Sequence, residues 1–146
     1  MKRLGKVFLG MLCIILLFAY SHASDKLTKI TPNKDKVVTF KWEPVKKRIS
    51  GKDIVNVDKI RYKVYVYQAE NINEKPPEEK DFERLKTEKR LEVKSPIKEI
   101  SCKIKFDKPG YYFLGVQTKL KDEVSVVSWS CSETCATNPQ YVYVPK

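Results

Sequence analysis

The stretch IKFDKPGYYFLGVQT, Ile104 to Thr118, decides the fold. Ile104 and Phe106 alternate with Lys105 and Asp107, Pro109-Gly110 interrupts, and Tyr112, Leu114 and Val116 then resume a spacing of two. Alternation of this kind sends apolar side chains to one face of an extended chain and polar ones to the other, and a Pro-Gly pair between two such runs marks a turn. The stretch therefore reads as two half-buried strands joined by a tight connection.

The same period extends in both directions. Ile100 and Cys102 lead into the first run, with Ser101 and Lys103 opposite them. Val38, Phe40 and Trp42 alternate with Thr39 and Lys41 until Pro44 stops the run, and Ile60, Tyr62, Val64 and Val66 alternate with Arg61, Lys63 and Tyr65. Weaker runs cover Val124 to Trp129 and Tyr141 to Val144. Pro44, Gly51, Pro76-Pro77, Pro96, Pro109-Gly110 and Asn138-Pro139 punctuate them. Short strands and turns at this density indicate an all-β sandwich or barrel. The segment EEKDFERLKTEKRLEV, Glu78 to Val93, breaks the pattern, and its charge and leucine spacing also suit a short helix. Phe82 to Leu85 is read as a short edge strand, since charge on an edge blunts pairing with other chains. NINEKPPEEK, Asn71 to Lys80, reads as a loop.

VVTFKWEP (Val37 to Pro44), YKVYVY (Tyr62 to Tyr67) and the Pro-Gly-Tyr-Tyr turn of the opening stretch together resemble a fibronectin type III domain across residues 27 to 146. The resemblance implies a seven-stranded immunoglobulin-like β-sandwich with Trp42 as its core indole and Tyr62 packed in the same core. It also implies that Tyr112 is a corner tyrosine, whose hydroxyl bonds to backbone a few residues upstream. Ser128-Trp129-Ser130 matches half of a receptor-type Trp-Ser repeat, Val126-Val127 replace the other half, and Cys131 to Gln140 forms an unusual insertion before the last strand. A fold of this kind hosts adhesion, receptor, spacer and carbohydrate-associated roles, so it names no function.

Lys2, Arg3 and Lys6 precede an apolar run of fourteen residues, Val7 to Tyr20, and Ser21-His22-Ala23 follows. This is the layout of a secretory signal peptide helix cleaved after Ala23, leaving residues 24 to 146 as a single exported domain, secreted or periplasmic, of bacterial style. The run is shorter than the roughly 20 residues that span a bilayer, so membrane contact is expected only through an uncleaved signal segment. Bulky Leu12 before Cys13 argues against lipid attachment there. Removal of residues 1–23 takes three basic and no acidic residues, lowering 29 Lys and Arg to 26 against 18 Asp and Glu, and the net charge from +11 to +8.

The single histidine, His22, lies in the leader. The exported domain thus has no imidazole for nucleophile activation, proton transfer or metal ligation. Its carboxylates stand in solvated runs beside lysines, without the opposed environments that separate an acid from a base. No phosphate-binding glycine loop or nucleophile elbow occurs. A non-enzymatic chain without cofactor, metal site or nucleic-acid partner is the expectation. In an exported protein the three remaining cysteines point to a disulfide, with Cys131 and Cys135 as the preferred pair, a bridge to Cys102 and free thiols as the alternatives.

Two surfaces could bind a partner. If the loops after the second, fourth and sixth strands share one pole, Lys46, Lys47, Arg48 and Lys52, then Lys94 and Lys98, then Lys119 and Lys121 would gather there and attract a polysaccharide, phospholipid headgroups or an acidic protein. Asp53, Glu99, Asp122 and Glu123 dilute that charge, and ordinary solubilising lysine is the simpler reading. Tyr65 and Tyr67 point away from the valine face and, with Tyr141 and Tyr143, could stack on sugars or anchor a protein, or merely cover the sheet. The expected function is an exported binding or adhesion module for a protein or an anionic cell-surface component. A structural spacer, an accessory subunit of an envelope assembly and a carbohydrate-binding module are the alternatives.

Overall fold

The computed structural model describes residues 27–48, 50–132 and 138–146. The expected leader, residues 1–23, and Cys135 lie outside them. Among the described residues nine strands form two sheets, one of seven strands and one of two, where seven strands in all were expected; the all-β class agrees with the period-two runs. The larger sheet has the order β1 (Thr28–Ile30), β9 (Gln140–Val144), β6 (Gly110–Leu120), β3 (Arg61–Ala69), β4 (Leu91–Ile97), and the smaller one pairs β2 (Val37–Lys41) with β5 (Ser101–Lys105). The division is uneven: β1 runs parallel to β9 in the larger sheet and does not extend the smaller one.

Of the two last expected runs, Val124 to Trp129 is broken into two short strands and Tyr141 to Val144 is one strand. Short β7 (Glu123–Val124) and β8 (Ser128–Trp129) pair with the far end of β6 before β9 pairs with its near end. Trp129 stands opposite Gly115 and Val142 opposite Tyr112, so three steps along β6 correspond to thirteen along the returning chain. Ser130 links β6 to the start of β9. Its N–H donates to Leu114 O at 2.7 Å, and its own carbonyl accepts Gln140 N–H at 2.8 Å.

β3 explains the packing. Val64 and Val66 face the smaller sheet and join Phe40, Trp42, Ile104, Phe106, Leu114 and Val116 in the main core. Trp42 is buried, with its ring 5.3 Å from Tyr62 in an edge arrangement and 5.5 Å from Phe40. Tyr112 Oη donates to Lys108 O, four residues upstream, at 2.8 Å. On the opposite face Tyr65, Tyr67 and Phe113 form a second core with Phe82, Leu85 and Trp129.

Phe82 and Leu85 belong to a helix, which corrects the reading of Phe82 to Leu85 as an edge strand. Helix α1 (Phe82–Thr87) follows a 3-10 turn at Glu79–Asp81 and buries those two residues, three apart on one side. Charged residues fill the other side, with Lys86 Nζ 2.7 Å from Glu83 and Arg84 Nη1 2.9 Å from Glu88, the pairings that helical spacing brings together. Its end has the Schellman pattern: Arg90 N–H donates to Leu85 O, Lys89 N–H donates to Lys86 O, and Lys89 takes a left-handed backbone, φ 58°. The helix roofs the outer face of the sheet and so produces a third layer.

Candidate functional site

The pole where β2 ends and β3 begins is assembled from three connections. Pro44 stops β2, after which buried Val45 and Ile54 pin a small hairpin whose arms meet at Lys47 and Asp53. Arg48 N–H donates to Lys52 O at 2.9 Å, and Gly51 supplies the positive φ, 78°, that the turn requires. Tyr62 is buried beside this hairpin in the same core as Val45 and Ile54, and burial raises its phenol pKa. Trp42 N–H donates to Ile100 O at 3.0 Å, which brings in the β4–β5 connection. Arg48 Nη1 lies 2.6 Å from Glu123 Oε1, which ties the hairpin to the β6–β7 turn.

Lys46, Lys47, Lys52, Lys98 and Lys121 are exposed on these three connections. Three of the expected cations do not belong with them: Lys119 lies within β6, opposite Arg61 on β3 and Val124 on β7, and Lys94 and Arg48 are engaged elsewhere. Lys94 lies within β4 opposite Val64, with Nζ 2.8 Å from Glu92, because Pro96 is accommodated inside this edge strand and does not end it. Arg48 has its charge committed to Glu123, a partly exposed pair whose value is positional since such pairs contribute only about 0–1 kcal/mol.

Sequence reading missed the apolar component of this pole. Among the described residues six large apolar side chains are strongly exposed, and four of them are here: Val55 (90%), Val57 (56%), Ile100 (44%) and Val124 (40%). Ile54-Val55-Asn56-Val57-Asp58 alternates as a strand would, so the only available signal was two valines in a segment between a turn glycine and the next strand.

The tyrosine surface is corrected. Tyr65 and Tyr67 are buried beneath α1 and Trp129 and present no face to a ligand. Tyr65 Oη donates to Gln117 Oε1 at 2.8 Å, while Gln117 Nε2 donates to Glu79 Oε1 and to Ser125 O. Tyr67 Oη donates to Glu74, Arg90 Nη2 donates to Tyr67 Oη at 2.8 Å and reaches Glu74 Oε1 at 3.2 Å, and the guanidinium stands 5.3 Å from the Tyr67 ring centre. Burial, then the Glu74 hydrogen bond, raises the Tyr67 pKa. Burial also pushes Glu74 upward, but hydrogen bonds from Tyr67 and Glu70 N–H together with the Arg90 charge outweigh it and leave a net lowering. A phenol kept protonated and a carboxylate kept ionised beside an arginine make a closed network that ties the 70–74 turn to β3. Tyr141 and Tyr143 are half-buried against Tyr111, at 6.1 and 5.2 Å.

At the opposite pole a cleft of about 150 Å³ has Val66, Phe106 and Tyr112 as its floor and Lys89, Lys105 and Lys108 among its walls. Among the described residues no three His, Cys, Asp or Glu side chains could share a metal ion. Cys135 of the expected Cys131–Cys135 pair is outside the described residues, and within them no two sulfurs are at disulfide distance. Cys102 is partly buried on β5 opposite Phe40, where burial pushes its thiol pKa up. Compared with known protein families, curated proteins and solved structures, the chain matches none.

Proposed function

We propose that this chain is a non-catalytic, exported binding module of fibronectin type III-like design that engages an anionic cell-surface component through the pole carrying Lys46, Lys47, Lys52, Lys98 and Lys121. The observation that carries the reading is the gathering of these exposed lysines on three connections drawn from both sheets. The rigid sandwich beneath, with Trp42, Tyr62 and the Tyr112 corner, supports loop presentation of the kind such scaffolds serve.

The test is retention of the protein on a sulfated polysaccharide matrix over a salt series. Retention is expected to fall steeply as salt rises, because screening of exposed charge shortens to about 8 Å at 0.15 M. Replacing Lys47 and Lys52 together by Glu is expected to abolish retention while leaving the melting temperature unchanged, since both side chains are exposed. Arg48 is left intact in that variant because its loss would also release Glu123. Salt-independent retention, or an unaffected double variant, defeats the reading.

A further inference from the structure

We infer that the surface this pole docks on is an anionic lipid bilayer, with Val55, Val57 and Ile100 entering the interface and the surrounding lysines meeting the headgroups; this rests on the pole being the binding site. Val55 is 90% exposed and stands three residues from Lys52, and Ile100 stands two from Lys98. Apolar side chains this exposed are unfavourable in water, and here they share one end of the molecule with exposed Lys46, Lys47, Lys52, Lys98 and Lys121, whose charge exposed Asp53, Glu99 and Asp122 offset only in part.

The chemistry of the tips distinguishes among anionic surfaces. A sugar polymer is gripped by aromatic faces, and none of the six strongly exposed apolar residues among those described is aromatic. A protein partner takes its energy from aromatic and arginine anchors seated in pockets, whereas of the two arginines at this pole Arg48 is bound to Glu123 and Arg61 donates to Asp58 O and Ile60 O. Separate aliphatic tips on loops, with flexible lysines beside them, fit a fluid interface that needs no matching pocket, since apolar burial and attraction to anionic lipid add together there. The lysine side chains can lay their stems along the interface and keep their charge at headgroup level.

Mechanically the pole suits this use. Buried Val45 and Ile54 anchor the hairpin from below, and Arg48–Glu123 fixes it against the neighbouring turn, so the tips are held out from the sandwich. Val144 at the end of β9 pairs with Gly110, which follows the β5–β6 connection at the other end. The C-terminal end of β9 therefore lies away from the docking face.

The experiment is hydrogen exchange on the full chain, with and without vesicles of phosphatidylcholine containing about one third phosphatidylglycerol. A footprint is read at the pole even if the N-terminal segment also meets the membrane. Protection over 52–59, 98–100 and 121–124 is expected with the anionic vesicles and not with pure phosphatidylcholine. Replacing Val55 and Val57 together by Ser should weaken that protection, raising the lipid concentration for half-maximal effect by roughly tenfold or more, while retention on the sulfated matrix is unchanged. A footprint elsewhere, or one insensitive to the valine substitutions, overturns the lipid assignment. If the Lys47 and Lys52 reversals still abolish matrix retention in that case, the pole remains a polyanion site and only the bilayer is rejected; if they do not, both readings fall.

Discussion

Gly115 and Trp129 face one another across β6 and β8 so closely that a β-carbon at 115 would stand 2.9 Å from Trp129 Cε3 and 2.8 Å from Val127 Cγ1. The bare backbone at 115 is thus what allows the indole to close the outer core over Tyr65 and Tyr67, at ring separations of 6.2 and 6.4 Å. Gly115→Ala is expected to destabilise the domain by about 1 to 3 kcal/mol through overpacking. Urea unfolding checks this, and an unchanged midpoint would show that Trp129 can retreat at no cost.

Lys89 gives a prediction of opposite sign. Its left-handed backbone at the end of α1 is the conformation glycine adopts without a side-chain penalty. Lys89→Gly is expected to stabilise by about 1 kcal/mol, a gain visible as a higher urea midpoint. A loss would mean that the Lys89 side chain contributes more where it borders the cleft than its backbone costs.

Glu74 should impart an acid limb to stability. Its pKa is lowered in the folded state from 4.5, so its contribution is complete above that value and disappears as pH falls below it toward the folded pKa. Glu74→Gln is expected to cost about 1.5 to 3 kcal/mol at pH 7, where the carboxylate holds Tyr67 and Arg90, and progressively less below pH 4.5. Unfolding free energies of both proteins between pH 7 and 3 supply the comparison; a constant gap would assign the loss to shape and not to charge.

Trp42→Ala removes a buried ring that touches Phe40 and Tyr62 and should cost about 3 to 5 kcal/mol. Trp42→Phe should cost about half as much, since it keeps an aromatic contact and deletes an indole N–H that has no hydrogen-bond partner among the described residues. Calorimetry on the pair measures the difference. Equal losses would indicate that the N–H is satisfied in solution.

The inner faces of the strands were legible because period two survives in every long run, and Phe40, Trp42, Tyr62, Val64, Ile104 and Leu114 meet as that alternation requires. The outer face was not. Alternation places Tyr65 and Tyr67 opposite the valines, but only the presence of a covering element decides whether that side is wet. Helix α1 is six residues long, fewer than two turns, so its apolar spacing amounts to one pair, Phe82 and Leu85, and Lys89 occupies the terminal position where a glycine would have announced a helix end. The pole was half legible. Turn residues located its loops, whereas Pro96, standing inside edge strand β4, wrongly suggested that Lys94 belonged to one. The exposed valines had only a faint signature, two apolar residues between a turn glycine and the next strand, since a local pattern does not say which apolar residues tertiary packing leaves outside.

The parallel pairing of β1 with β9 bears on how the domain would carry force. Thr28, Lys29 and Ile30 run beside Gln140, Tyr141 and Val142 in the same direction, and Thr28 is further joined to Pro139 O at 2.8 Å and to Asn138 Oδ1 at 2.9 Å. Tension applied at residue 27 and at residue 146 pulls these two strands past one another lengthwise. Their hydrogen bonds are then loaded together in shear, where an antiparallel pair joined by a hairpin and pulled apart at its open end would lose them one at a time. A pull between residues 27 and 146 would thus meet strands β1 and β9 clamped side by side.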